Sequence, residues 1–140
     1  MRDEEPPVAT IAVTENNFNE IADQQGIVLL DFWAAWCGPC RTFGPIFEKA
    51  SAKHGDITFG KIDTEAERGL AAGFEITSIP TVMAIRDGIV VFAQPGALPE
   101  PALEDLIRQV RALDMEAIRK EISEDIESGQ AEGPEDGSRP

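Results

Sequence analysis

Seven consecutive residues, Ile27-Val28-Leu29-Leu30-Asp31-Phe32-Trp33, set six apolar side chains around a single charge. A strand points alternate side chains to opposite faces, so a run this apolar has no face to offer water. It predicts a central strand covered on both sides, which calls for helices above and below a sheet. Asp31 is the odd residue: a carboxylate inside such a strand has its charged form disfavoured, and its pKa should rise toward neutrality.

The flanking segments supply the rest of the layers. Residues 8–13 read as a short strand, and Thr14 can cap a helix over 15–24 that Gly26 ends. From about Cys37 to Lys53 the pattern is helical, with Phe43, Ile46, Phe47 and Ala50 on one side and Pro45 placed to kink it. A strand over 57–63 and a short helix over 66–72, stopped by Gly73, follow. Pro80 opens a strand to Arg86. Asp87-Gly88 is a hairpin signal into a strand over 89–93. A helix over 101–113 carries Leu103, Leu106, Ile107 and Val110 as its apolar stripe. The order β-α-β-α-β-α-β-β-α predicts an α/β fold, a mixed five-stranded sheet flanked by helices on both faces.

We expect three parts: a flexible N-terminus at 1–7, one domain at 8–113 and an acidic extension at 114–140. The extension is expected to be helical to about residue 128 and disordered beyond. It holds nine acidic and three basic side chains, a net of −6 out of the chain's −14. That overall charge argues against nucleic acid and anionic membrane surfaces, both of which need Lys and Arg. No apolar run approaches the ~20 residues of a membrane span, and the charged, proline-containing first residues do not read as a secretory signal.

The two cysteines, Cys37 and Cys40, stand where the apolar strand gives way to a helix. A spacing of three puts both sulfurs on one side of a turn, within bonding reach. A thiol at a helix N-terminus faces free N–H groups and the positive end of the dipole, which favour thiolate. Cys37 is therefore the expected nucleophile, and Cys40, one turn in, the more buried resolving thiol. As a structural staple the pair would close too short a loop to help. A zinc site would need four ligands, and only His54 could join. A fold that keeps the pair without its activity is a further reading. With no signal sequence, reactive thiols in a reducing cytoplasm are the expectation.

Trp33-Ala34-Ala35-Trp36-Cys37-Gly38-Pro39-Cys40 resembles the active-site motif of the thioredoxin family, and Gly38-Pro39 is its thioredoxin version. Asp31 resembles the family's buried acid, Lys61 its lysine partner, Ile79-Pro80-Thr81 its cis-proline loop and Gly96 the glycine of its substrate groove. The residues alone leave the Ile79–Pro80 bond open between cis and trans; the resemblance implies cis. They also leave Asp31 open between a base for the Cys40 proton and a structural acid paired with Lys61.

The resemblance covers about residues 8–113 and implies a thiol–disulfide oxidoreductase that reduces disulfides in target proteins; a monomer is the expectation. Trp36, Gly38, Pro39, Ile79, Pro80 and Gly96 would then contact substrate. No cofactor is expected to be bound, with NADPH used only indirectly through a thioredoxin reductase. Another class is a binding module whose acidic extension docks a dedicated partner. An oxidase or isomerase would need a more oxidising pair. Departures include Arg41 in place of a common lysine and Thr42-Phe43-Gly44 in place of a more aliphatic run, where Gly44 weakens the helix.

Overall fold

The computed structural model describes residues 9–128. Its elements are β1 (Thr10–Ala12), α1 (Phe18–Ala22), β2 (Ile27–Trp33), α2 (Gly38–Lys53), β3 (Thr58–Asp63), α3 (Arg68–Gly73), β4 (Thr81–Arg86), β5 (Ile89–Pro95), α4 (Glu100–Arg111) and α5 (Met115–Ser128). One five-stranded sheet runs in the order β1-β3-β2-β4-β5. β1, β3 and β2 are parallel, β4 runs antiparallel to β2, and β5 pairs antiparallel to β4 at the edge.

The apolar run is that central strand. From Ile27 to Phe32 every residue is buried, and alternation along the strand deals its side chains to two cores. Ile27 and Leu29 join Phe43, Phe47, Phe59, Leu103 and Ile107 beneath α2 and α4. Val28, Leu30 and Phe32 join Val13, Ile21 and Ile62, with Phe18 and Phe74 from the α1 and α3 side. Asp31 shares the parity of Ile27 and Leu29, so its carboxylate lies under α2. Phe43, Phe47 and Phe59 are fully buried, whereas Phe18 is half-buried against Phe74. At Gly60 the strands approach so closely that a Cβ would stand 2.5 Å from a Val13 methyl carbon.

Several boundaries differ from the sequence expectation. Thr14 caps only a turn, its Oγ1 accepting from the N–H groups of Asn16 and Asn17, and α1 starts at Phe18. Glu15 is drawn away from that helix to α3, where its carboxylate accepts from Gly69 N at 3.0 Å. α3 ends at Gly73, but the left-handed position falls two residues on, at Glu75 with φ 56°. Asp87 and Gly88 both have positive φ, as the tight hairpin requires. α2 runs on through Pro45, whose missing N–H removes one bond from the helix. The flexibility expected of 1–7 and the disorder expected of 129–140 lie outside the described residues.

Candidate active site

β2 delivers the chain to the base of α2, and Cys37 is the N-cap residue, with extended φ −90° and ψ 115°. Its Sγ accepts the Cys40 N–H at 3.1 Å, one of the free donors of the first helical turn. Cys37 and Cys40 are joined in a disulfide with their Cα atoms 5.2 Å apart. Burial does not rank them as expected: Cys37 is 3% exposed and Cys40 4%. What separates the two is the helix, because only the Cys37 sulfur receives a backbone N–H from it. Such a donor stabilises the thiolate over the thiol.

The surroundings of Cys37 form a shallow apolar rim. The Ile79–Pro80 bond is cis, and the Ile79 carbonyl oxygen lies 3.7 Å from Cys37 Sγ. Pro80 is buried and Ile79 half-buried. Gly96, at φ 113°, donates its N–H to the Pro80 carbonyl at 2.8 Å, tying the end of β5 to this loop. Gly38 and Pro39 are exposed on the first turn of α2. Trp36 is 67% exposed beside Cys37, and its Nε1 donates to Glu65 Oε2 at 3.2 Å. That tether was not legible in the sequence, since the two residues lie 29 apart. Arg41 turns back to donate to the Ala35 carbonyl at 2.9 Å.

On the inner side of the pair, Cys40 lines a cleft of about 350 Å³ with Trp33, Arg41, Gly44, Pro45, Glu48 and Lys61 among its walls. Asp31 lies beneath, fully buried, and neither carboxylate oxygen has a hydrogen-bond partner among the described residues. Burial pushes its pKa up to about 7, with Lys61 pulling down and Glu48 pushing up. Lys61 is the register neighbour of Asp31 across β2 and β3. It nonetheless makes its ion pair with Glu48, Nζ to Oε2 at 3.0 Å. The expected Asp31–Lys61 pair is thus an interaction through space, without contact. Trp33, half-buried, offers its ring face to the Lys61 ammonium at 5.4 Å. Glu48 was missed because, read along α2, it is one more polar residue.

Among the described residues no three His, Cys, Asp or Glu side chains gather as a metal site. His54 caps the far end of α2 and pairs with Glu104. No helix among them is long and apolar enough to cross a membrane.

A disulfide-forming Cys-x-x-Cys pair at a strand-to-helix junction, facing a cis-proline loop, defines a thiol–disulfide oxidoreductase. The thioredoxin family model matches residues 9–109. A Streptomyces coelicolor protein assigned as thioredoxin 2 is 53% identical over 116 residues, spanning 83% of this chain and 87% of that protein. The thioredoxin of Bacillus subtilis is 35% identical over 103 residues, spanning 73% of this chain and 98% of its own. The crystal structure of Malassezia sympodialis thioredoxin superposes with a TM-score of 0.68 at 29% identity, covering 74% of this chain and 92% of that one. The chain belongs to the thioredoxin family, and its redox centre is the intrinsic Cys37–Cys40 disulfide, with no prosthetic cofactor required.

Proposed function

We propose that the chain reduces disulfides in target proteins, with Cys37 as nucleophile and Cys40 as resolving thiol. The observation that carries this reading is the Cys37 sulfur, placed at the α2 N-terminus with a backbone N–H aimed at it, beside the Ile79 carbonyl. In the reduced protein the Cys37 thiolate attacks one sulfur of a target disulfide. A Cys37–target S–S bond forms, the target's own S–S bond breaks, and its other sulfur leaves as a thiolate that takes a proton from solvent. Asp31 then accepts the Cys40 proton through water in the cleft. The Cys40 sulfur attacks Cys37 Sγ, and the second target sulfur departs as thiolate. Two electrons pass to the target, and the Cys37–Cys40 disulfide remains.

Trp36, Gly38, Pro39, Ile79, Pro80 and Gly96 form the docking rim, with the Ile79 backbone pairing to an extended target segment. A flavin-containing thioredoxin reductase would return two electrons from NADPH. We place the protein in the cytoplasm as a monomer. Replacing Cys40 with Ser tests the scheme: the Cys40→Ser protein should accumulate mixed disulfides through Cys37 that reductant releases, and Cys37→Ser should form none. Equal trapping by both variants would overturn the assignment of the nucleophile.

A second reading, a partner-docking module, draws on α5, which leaves Ile122 and Ile126 exposed among acidic side chains. Truncation after Asp114 separates the two. Undiminished reduction of a general disulfide substrate supports the reductase, and loss of a specific bound partner supports the module.

A further inference from the structure

Glu48 and Lys61 line the cleft with Cys40, with the buried Asp31 within their electrostatic reach, and their pairing is not the one that sequence register suggests. Asp31 and Lys61 are aligned across β2 and β3, so contact between them would be the simplest way to neutralise a buried carboxylate. Instead the Lys61 ammonium is 3.0 Å from Glu48 Oε2, in a pair whose side chains are 24% and 35% exposed. Asp31, with no exposure, is left with two orphaned oxygens. The remaining walls favour this place for the ammonium. The Trp33 ring face lies 5.4 Å from Nζ. Gly44, with no side chain, leaves room: Lys61 Nζ is the nearest atom to where its Cβ would stand, at 3.7 Å.

We propose that Glu48 is a positioning residue for the proton step: it holds the Lys61 ammonium in the cleft beside Cys40 and so keeps Asp31 without a contacting counter-ion, free to take up and release a proton. The inference rests on the reading of Asp31 as acceptor of the Cys40 proton. Contact with an ammonium would hold Asp31 ionised and make it a weak base, poorly matched to a thiol near neutral pH. A partly solvated Glu48–Lys61 pair also avoids the desolvation that would accompany driving the ammonium into the core. The charged groups facing Asp31 are Lys61 from β3 and Glu48 from α2. From β4 the register partner is Val82, which carries no charge. The two cysteines of the first turn of α2 are tied in the disulfide.

The test follows the Asp31 carboxyl carbon by NMR in the full oxidised chain, in wild type, Glu48→Gln and Glu48→Asp. Glu48→Gln removes a repelling charge and frees the ammonium. The Asp31 midpoint should drop by about one pH unit, roughly a tenfold rise in its ionised fraction below that midpoint. Glu48→Asp, which keeps the charge, should restore most of the wild-type midpoint. With both cysteines present and reduced, the pH profile for single-turnover reduction of a disulfide target should move with the carboxyl midpoint. A Glu48→Gln midpoint equal to that of wild type would overturn the proposal. Asp31→Asn separates the underlying reading: an unaltered pH profile in that variant would remove Asp31 from the proton step, whatever the Glu48 midpoints show.

Discussion

The two ends of α2 treat charge in opposite ways. At its C-terminal end every ionic group described is matched. Lys49 and Lys53 both reach Glu100 at 3.2 Å. Arg111 donates twice to Asp56, at 2.6 and 3.0 Å. His54 takes an Arg111 N–H on Nδ1 at 3.2 Å, so its Nε2 carries the proton given to Glu104 at 2.8 Å. At the N-terminal end a carboxylate is fully buried and left without a partner. The pKa values follow: the Arg111 guanidinium pulls Asp56 down to about 2, while burial pushes Asp31 up to about 7. Complete pairing in contact with water ties α4 to α2. Pairing withheld in the core leaves a group that can move a proton.

The two acids should therefore load stability onto opposite pH windows. A raised carboxyl pKa means that the folded chain keeps a proton the unfolded chain has released. Stability from Asp31 then falls as pH rises from about 4 to about 7. The whole interval is worth about 4 kcal/mol as an upper figure. In urea unfolding, Asp31→Asn should match wild type near pH 4 and exceed it increasingly toward pH 8; a parallel pair of curves would break the contrast. Gly44→Ala comes next. A Cβ there meets only ordinary contact, so gained helix propensity should add up to ~1 kcal/mol, while the narrowed cleft slows the Cys40 step. Loss of stability would show that the site is tighter than its geometry implies. The smallest effect belongs to Arg111→Met. Asp56 is exposed and its pKa depressed, so the stability it lends is present above about 4 and lost as pH falls toward about 2. The variant should flatten the acid limb of the melting temperature and leave disulfide reduction unaltered.

Most of the sheet was legible because its causes are local. The apolar run at 27–33, the Asp87-Gly88 turn and the stripe of α4 each declare themselves within a few residues. The Cys37–Cys40 pair and Asp31 were legible for the same reason, one from spacing and one as a charge out of place. What escaped depends on partners far along the chain. Glu48 meets Lys61 from 13 residues away, and His54 finds Glu104 at a separation of 50. The short α1 has the same origin, with Glu15 held by Gly69 across 54 residues. The near-equal burial of the two cysteines was also hidden, since it depends on how the Ile79–Pro80 loop covers Cys37.

The reduction potential of the Cys37–Cys40 couple, equilibrated against a dithiol buffer, tests the direction of electron flow most directly. A reductase should give about −270 mV, the value known for thioredoxins. A value above about −200 mV would contradict it, leaving the fold in place but making the pair an oxidant or isomerase of its targets.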